Sequence, residues 1–347
     1  MSIIKSKTLL YRNFGDPQKV LELTEVEVST TPGDGEVLVE WLASPINPLD
    51  INRIMGQYII KGDPPIIGGS EGIGRVVKTG PNSKFHINDH VTIFSSETPF
   101  WTEFGIVSDD ELQKIDNRIS IDLAATIMVN PPTAWLMIHK YVKLSKGDFI
   151  IQNSANSGVG RSCIEIAKAA GFKTINIVRN RENIEELKTE LWKLGADHVF
   201  TEEEFAKGAR EFIKTLPSRP KLALNGVGGR SVLQISSVLE RGGMCITYGG
   251  MSKKAHEFST SALVFNDITV KGIAVGMWAR LPESQKDWAE CLEEVQKLAV
   301  SGEITAIPME KTSLDDYRKA FGKAMGQGRS VKQLFVIKNE AAGNAKI

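Results

Sequence analysis

Hydrophobic and polar positions change their period near residue 130 of this chain. Before that point, short apolar and β-branched runs are separated by Gly, Pro and Asn, which is typical of strands joined by tight turns. From Pro131 to Val275, short apolar strands alternate with stretches whose apolar residues recur at helical spacing. This alternation predicts an α/β fold with a doubly wound parallel sheet. The clearest early strands are 37–41, 74–77, 91–94 and 102–107. The predicted helices are 159–170, 183–194, 203–215 and 231–240, and the strands between them lie near residues 150, 175, 199, 223 and 245.

The pattern changes again after residue 280. Helices are predicted over 284–300 and 313–325, and a closing apolar strand over 333–337. Because a last strand can rejoin the N-terminal sheet, we expect the β-rich domain to be split by the α/β domain. The predicted domains are residues 1–129 plus 276–347 for the first and residues 130–275 for the second.

Composition argues against several classes of function. The 347 residues contain 42 Lys and Arg and 42 Asp and Glu, so neither net charge nor a basic stripe favours nucleic acid as a partner. No apolar run approaches the roughly 20 residues that cross a bilayer, so membrane insertion is not expected. The three cysteines, Cys163, Cys245 and Cys291, lie far apart and predict neither a disulfide framework nor a thiolate zinc site.

The most informative stretch begins with the apolar strand 149–152. A turn of small residues, 153–160, follows it and leads into an amphipathic helix. Such a turn lets a pyrophosphate approach the backbone and bind at the helix N-terminus, so it predicts a dinucleotide site. The turn departs from strict G-x-G-x-x-G spacing, because Ser154 and Ser157 stand where glycines often do. An ordinary strand–helix corner is the alternative interpretation.

The end of the next predicted strand decides the cofactor. An NAD site has an acidic residue there, which holds the ribose 2′-hydroxyl. This chain has Arg179-Asn180-Arg181 instead. Two guanidinium groups can pair with a 2′-phosphate, so the sequence predicts NADPH. Arginines that are merely solvated at the surface would give the same pattern.

Further motifs along the chain carry a resemblance to a known family. They are SPINPLDIN (44–52), GQY (56–58), GGSEG (68–72), VNPPTA (129–134), QNSANSGVG (152–160), VRNR (178–181), ALNGVGG (223–229) and TYGGM (247–251). With them the chain resembles the medium-chain dehydrogenase/reductase superfamily. Within it, the chain is most similar to the zinc-free quinone reductase group and its mitochondrial 2-enoyl thioester reductases. The resemblance extends from Leu10 to Ile337.

The resemblance implies a Rossmann-type domain inserted in a GroES-like catalytic domain. It implies NADPH-dependent reduction of the 2,3 double bond of trans-2-enoyl thioesters, on acyl carrier protein or CoA, in fatty acid synthesis. Hydride is expected at Cβ and a proton at Cα. No metal is expected, because Ser70 stands where zinc-dependent members place a histidine.

The resemblance also implies a compartment and an assembly. It points to mitochondria, although the N-terminus shows no clear transit peptide, which leaves the cytoplasm as the alternative. It implies a homodimer that pairs through the strand at 268–271.

Site residues follow from the resemblance by position. Tyr58 matches the catalytic tyrosine, since a phenol hydroxyl can donate a proton or a hydrogen bond. The alternative for Tyr58 is a loop aromatic that only packs. Ala274 is small where related reductases often have a bulky aromatic, so we expect an acyl pocket of different shape or greater room. The implied cofactor contacts are Asn130, Asn156, Ser157, Gly158, Val159, Arg179, Asn180, Arg181, Tyr248, Gly249, Gly250, Met251, Ile273, Ala274, Val275 and Lys332.

Local alternatives remain for some of these residues and for the function. Asn130 precedes two prolines and is equally typical of a cap or turn, and Tyr248 and Met251 are equally typical of packing at a strand end. An NADPH:quinone or enone oxidoreductase is the rival enzyme on the same fold. A non-catalytic structural or RNA-binding protein is the rival from another class, and the presence of Tyr58 and the neutral charge argue against it.

Overall fold

The computed structural model describes residues 2–58, 62–93, 99–326 and 331–338. By its contacts the chain divides into two compact units. The first, here called the β-rich unit, is Met1–Met128 with Thr305–Ile347, and the second, the α/β unit, is Val129–Ile304. The helices and strands in chain order are β1 Ile3–Tyr11, α1 Pro17–Val20, β2 Leu21–Ser29, β3 Glu36–Pro45, α2 Pro48–Ile54, β4 Ile66–Ile67, β5 Ile73–Thr79, β6 His90–Ile93, β7 Phe104–Ser108, β8 Leu112–Ile115, α3 Ile121–Ala124, α4 Asn130–His139, β9 Phe149–Gln152, α5 Gly158–Ala170, β10 Lys173–Val178, α6 Ile184–Leu194, β11 His198–Thr201, α7 Glu202–Thr215, β12 Leu222–Asn225, α8 Gly229–Ser236, β13 Met244–Thr247, α9 Thr260–Phe265, β14 Thr269–Gly272, α10 Val275–Trp278, α11 Gln285–Val300, β15 Met309–Thr312, α12 Tyr317–Met325 and β16 Lys332–Val336.

The β-rich unit is organised around β3. Its main sheet has the order β15-β16-β3-β5-β6-β8, with β7 also paired to β3, and a smaller sheet has the order β2-β1-β4. The last strand, β16, pairs antiparallel with β3, with Leu334 opposite Pro45, so the end of the chain rejoins the N-terminal sheet as predicted. The core of this unit is aromatic: the ring of Trp101 lies edge-on to Phe321 and Phe335, at 5.4 and 5.5 Å between centroids.

The glycines of the GGSEG segment are explained by that aromatic core. A Cβ on Gly68 would lie 2.1 Å from the Trp101 ring, and one on Gly72 would lie 2.5 Å from the Phe100 ring. Only glycine lets the backbone approach the rings this closely. The segment therefore fixes the residues between its glycines, Ser70 and Glu71, against the core.

The α/β unit contains a fully parallel sheet of order β11-β10-β9-β12-β13-β14. Counted within the unit this order is 3-2-1-4-5-6, the Rossmann arrangement. The order reverses between β9 and β12, and ligands of such sheets bind outside the carboxyl ends of the strands at that point. The predicted fold class is confirmed.

The division of the chain differs from the predicted domains at their second boundary. The sequence pattern assigns residues 276–304 to the split domain, whereas the structure groups them with the α/β unit. The reason is helix α11, which contacts α4. Lys140 Nζ lies 2.6 Å from an Asp287 carboxylate oxygen, and the Cys291 thiol faces the Pro132 carbonyl at 3.8 Å.

Candidate active site

Most of the predicted cofactor residues lie at one edge of the parallel sheet. Carboxyl ends of parallel strands meet at the same edge, and the predicted segments follow four of these ends. Residues 156–159 follow β9, residues 179–181 follow β10, residues 248–251 follow β13 and residues 273–275 follow β14. The structure therefore brings these segments together, as a dinucleotide site requires.

The turn after β9 is built to expose backbone N–H groups at the start of α5. Ser157 caps the helix, and its hydroxyl accepts a hydrogen bond from Gly160 N at 3.1 Å. A Cβ on Gly160 would lie 2.5 Å from the Ser154 carbonyl oxygen and 2.7 Å from Ala155. Ser154 itself has a positive φ of 55°. The residues that depart from the glycine pattern thus act as a cap and a turn.

Replacement of Gly160 by alanine is expected to damage this turn. The added methyl group would overlap backbone atoms that have little freedom to move, so we expect the free energy of unfolding to fall by about 1–3 kcal/mol. We also expect a raised KM for NADPH. Gly208→Ala on α7 is the control, because no atom lies within 4 Å of its added Cβ. That variant should be more stable than wild type by about 1 kcal/mol. Thermal unfolding and NADPH titration check both, and an unchanged Gly160→Ala protein would contradict the packing argument.

A buried amide pair at the switch point was missed by the sequence analysis. Asn153 Nδ2 donates to Asn225 Oδ1 at 2.8 Å, and Asn153 Oδ1 accepts from Gly226 N at 2.8 Å. Asn225 Oδ1 also accepts from the backbone N–H groups of Val227 and Gly228. Both amides are fully buried. Their bonds tie the loop after β9 to the loop after β12, so they hold the two sides of the switch point in place.

The basic residues after β10 form a cluster with a third arginine. Arg161 of α5 is buried, and its guanidinium pairs with Glu190 at 2.6 Å. Burial and the positive charges of Arg179 and Arg161 lower the pKa of Arg181. The Arg181 Nε is buried, and no described residue accepts a hydrogen bond from it. Three guanidinium groups with one carboxylate make this end of β10 electropositive, which favours an anionic ligand.

Asn130 is the first residue of α4, and it lies beside the turn. A Cβ on Gly158 would meet the Asn130 side chain at 2.7 Å, so glycine at 158 leaves room for that amide. The Asn130 Nδ2 is buried and has no acceptor among the described residues. The Asn130 amide is therefore a buried donor without an acceptor among the described residues, and it lies beside the N-terminus of α5.

Tyr248 also faces the switch point. Its hydroxyl lies next to Ser157 and Cys163, and burial raises the pKa of the phenol well above its ordinary value. A Cβ on Gly226 would lie 2.7 Å from that hydroxyl. The predicted residues nearby are more open, with Met251 at 57% exposure. Tyr248 thus packs between the turn and the loop after β12, while the 249–251 segment borders the site.

Two predicted residues lie in the β-rich unit. Tyr58 is half-buried and is the fourth residue after the end of α2. Lys332 begins β16, and its Nζ donates to Asn47 Oδ1 at 2.5 Å. Burial lowers the pKa of Lys332, and the charges of Glu71 and Asp50 partly offset this effect. Lys332 is thus bonded to a protein group of its own unit, whereas the sequence predicted that it contacts the cofactor.

No group of three or more His, Cys, Asp or Glu side chains that could hold a metal occurs in residues 2–58, 62–93, 99–326 and 331–338. The three cysteines are buried, and burial raises the pKa of each thiol. In the same residues, no helix is long and apolar enough to cross a membrane.

The residues at the sheet edge fit a phosphorylated dinucleotide. The turn leads into the N-terminus of α5, where backbone N–H groups can bind a pyrophosphate. Arg181 supplies a buried donor with no protein acceptor next to two further positive charges, as a 2′-phosphate requires. The Asn130 amide supplies another such donor on the other side of the turn.

Family comparisons define the class of protein. The family model described as "Alcohol dehydrogenase GroES-like domain" matches residues 33–104, and that described as "Zinc-binding dehydrogenase" matches residues 158–297. A GroES-like domain combined with a Rossmann domain defines the medium-chain dehydrogenase/reductase superfamily, so this is an oxidoreductase fold of that class.

Comparison with individual relatives identifies the family within this superfamily. A Caenorhabditis elegans protein named mitochondrial enoyl-[acyl-carrier-protein] reductase is 68% identical over 341 residues, 98% of each chain. The mitochondrial 2-enoyl thioester reductase Etr1p/Etr2p heterodimer from Candida tropicalis has a TM-score of 0.89 at 31% identity, covering 96% of this chain and 100% of that one. The complex of Etr1p with NADP and crotonyl-CoA has the same TM-score and coverage at 30% identity. The chain belongs to the family of mitochondrial enoyl-[acyl-carrier-protein] reductases.

Proposed function

We propose that this protein is an NADPH-dependent reductase of trans-2-enoyl thioesters in mitochondrial fatty acid synthesis. The observation that carries the proposal is the match over nearly the whole chain to enoyl reductases, one of them solved with NADP and crotonyl-CoA. The electropositive end of β10 agrees with it, because the site offers guanidinium groups where an NAD site has a carboxylate. The predicted cofactor, reaction and compartment are thereby confirmed.

The chain's own residues would hold the cofactor and the reacting proton. The turn at 156–159 would bind the pyrophosphate and Arg179 to Arg181 the 2′-phosphate. When bound, NADPH supplies a hydride, which the β-carbon of an enoyl thioester accepts. Tyr58 would give its proton to the α-carbon, and solvent would then reprotonate its hydroxyl. These residue roles are part of the proposal.

Comparison of substrates tests the proposed function. We expect turnover of crotonyl-CoA and hexenoyl-CoA with NADPH and much slower reduction of a quinone at equal concentration. The small Ala274 side chain, which is exposed after β14, leads us to expect that longer enoyl chains are accepted as well. A quinone reduced faster than every enoyl-CoA would instead support the quinone reductase alternative.

We propose acyl carrier protein as the thioester carrier. Comparing the rates for the same enoyl chain on acyl carrier protein and on CoA would decide between the two carriers.

We propose a homodimer that forms through the open edge of the parallel sheet. Strand β14 pairs only with β13 among the described residues, and all four of its residues are exposed. The adjoining helix α9 exposes Val264 at 64% and Phe265 at 74%. An edge strand next to exposed apolar side chains is suited to pairing with a second copy about a twofold axis. The Candida tropicalis neighbour was solved as a heterodimer of two chains.

A charge on this edge is expected to prevent dimer formation. Val270 lies in the middle of β14 at 41% exposure, and a lysine there would place positive charges on both copies close together. Analytical ultracentrifugation should give a mass of twice 38.1 kDa for wild type and of one chain for Val270→Lys. Ile87→Lys, on an exposed turn of the β-rich unit, should remain a dimer. A monomeric wild type at micromolar concentration would contradict the proposal.

A further inference from the structure

A buried polar cluster in the β-rich unit surrounds Lys332, and its other members have no role in the reaction described so far. We call it the Asp50 cluster, and it consists of Asn47, Asp50, Glu71 and Lys332. Asn47 accepts a hydrogen bond from Lys332 Nζ at 2.5 Å and donates its own amide to Glu71 Oε2 at 3.0 Å. Asn47, Asp50 and Glu71 are each at most 5% exposed. The Lys332 ammonium is thus bonded to Asn47 and is influenced by the charges of two buried carboxylates, Glu71 and Asp50.

The cluster is held from three parts of the chain. Asn47 follows β3, and its neighbour Ile46 donates a backbone bond to Gln333 of β16 at 2.9 Å. Glu71 belongs to the glycine-rich segment that packs on the aromatic core, and its Oε1 accepts from Met128 N at 3.2 Å. The positions of the charged groups are thus fixed by the sheet and the core.

Asp50 connects this cluster to helix α2. Its Oδ2 accepts a hydrogen bond from Asn47 N at 2.7 Å, which closes the first turn of the helix as a capping box. An acidic group in the first turn also interacts favourably with the helix dipole when it is ionised. The charge of Asp50 therefore stabilises α2 at its N-terminus.

The other end of α2 leads directly to Tyr58. Met55 N donates to Ile51 O at 2.9 Å, and Gln57 N donates to Asn52 O at 2.8 Å, so the segment after the helix is bonded to the helix itself. Nearby, Gly15 N donates to Ile54 O at 2.9 Å and ties the end of the helix to the loop after β1. A change at the first turn can therefore be transmitted to the Tyr58 segment through one short, continuously bonded element.

The surroundings of Asp50 make its charge sensitive to pH. Burial raises its pKa to about 6, against the opposing influence of the Asn47 backbone N–H, the Ser70 hydroxyl and the positive charges of Lys332 and Arg53. Asp50 also lines a cavity of about 320 Å³ with Tyr11, Arg53 and Ile54, through which protons can reach it. Tyr11 faces the same carboxyl and guanidinium groups.

We propose that Asp50 is a positioning residue for Tyr58: its ionised carboxylate closes the first turn of α2 near the Lys332 ammonium, and loss of that charge loosens the segment that carries Tyr58. This inference rests on the proposed function, since it assumes that Tyr58 delivers the proton. It assigns the cluster to the protonation half of the reaction and leaves the cofactor site in the α/β unit unaffected.

The test is the pH dependence of kcat for crotonyl-CoA at saturating NADPH. For wild type we expect kcat to fall on the acid side with an apparent pKa near 6, because Asp50 becomes protonated there. Asp50→Asn keeps the shape of the side chain and removes its charge. It should lower kcat at pH 8 about tenfold, through imperfect placement of Tyr58, and should lose the acid limb. The NADPH Kd of Asp50→Asn, measured by fluorescence titration, should stay within about twofold of wild type.

A second variant tests the direction of the electrostatic coupling. The Lys332 ammonium lowers the pKa of Asp50, so Lys332→Met should move the acid limb to higher pH. Glu204→Gln is the matched control, because Glu204 closes the same type of capping box on α7 in the other unit. Glu204→Gln should lose about as much thermal stability as Asp50→Asn and should keep the wild-type pH profile of kcat.

The outcomes separate this inference from the proposed function. Wild type that fails to turn over crotonyl-CoA with NADPH would overturn the proposed function itself. Turnover without an acid limb near pH 6, or an Asp50→Asn protein that keeps the wild-type limb, would overturn only the role of Asp50. The role of Asp50 would also be overturned if Lys332→Met moved the acid limb of kcat to lower pH.

Discussion

Tyr58→Phe should lower kcat for crotonyl-CoA by about a hundredfold, because a positioned general acid typically contributes between 10² and 10⁴ to a rate. The substitution removes one hydroxyl and keeps the ring, and Tyr58 is half-buried, so the fold should be unaffected. The KM for NADPH should not change, since every predicted cofactor residue except Lys332 lies in the α/β unit. Stopped-flow measurement of NADPH oxidation gives both quantities.

Tyr317→Phe is the matched control for this experiment. The Tyr317 hydroxyl is buried in the same unit and donates to the Leu21 carbonyl at 2.8 Å, so its loss should cost stability by about 1 kcal/mol. Activity at 25 °C should remain that of wild type. If Tyr58→Phe retained the wild-type kcat while Tyr317→Phe lost stability as expected, Tyr58 would be a packing residue and the proton would come from another group.

Arg179→Asp should change the preferred cofactor. A charge-assisted hydrogen bond contributes about 1.5–3 kcal/mol, and an aspartate in its place also repels the 2′-phosphate. We therefore expect kcat/KM for NADPH to fall about a hundredfold. For NADH, kcat/KM should rise, because the new carboxylate can accept hydrogen bonds from the ribose hydroxyls. Arg179 is exposed after β10, so the fold should tolerate the change.

Arg210→Asp controls for the change in net charge. Arg210 is exposed on α7 of the same unit. It lies outside every segment assigned to the cofactor, so its substitution should alter kcat/KM for neither cofactor. Equal use of NADPH and NADH by the wild-type enzyme would contradict the role given to the basic cluster. If kcat/KM for NADPH fell equally in Arg179→Asp and Arg210→Asp, the net charge of the unit, rather than a contact at Arg179, would attract the cofactor.

Much of the α/β unit could be predicted from the sequence because its signals are local. The helix predicted over 159–170 is Gly158–Ala170 in the structure, and that over 203–215 is Glu202–Thr215. The spacing of apolar residues predicts helix α5, and Gly171 marks its end. The Thr201 capping box marks the start of α7. The parallel sheet then follows from the alternation of elements.

Features that depend on tertiary contact were not visible in the sequence. Asn130 precedes two prolines and is as typical of a turn as of a helix start, and only its packing against Gly158 reveals its place. Asn153 and Asn225 are 72 residues apart, and their amide pair exists because β9 and β12 are neighbours in the sheet. No local pattern contains that information.

The Asp50 cluster and the domain boundary have the same cause. Asn47 and Lys332 are 285 residues apart, and they meet because the last strand rejoins the first sheet. Helix α11 was correctly predicted as a helix over 284–300, but its assignment to the α/β unit depends on contacts with α4 that its own apolar face does not specify. The sequence pattern identified the apolar face of α11 but not the helix, α4, on which that face packs.

The expected reaction delivers a hydride to Cβ and a solvent-derived proton to Cα of an enoyl thioester. Its most direct test is the reduction of crotonyl-CoA by unlabelled NADPH in D₂O, followed by mass spectrometry and NMR of the product. Because the Tyr58 hydroxyl exchanges with solvent, we expect butyryl-CoA with a single deuterium, located at Cα. Failure to form butyryl-CoA, or a product whose deuterium lies at Cβ, would contradict the account.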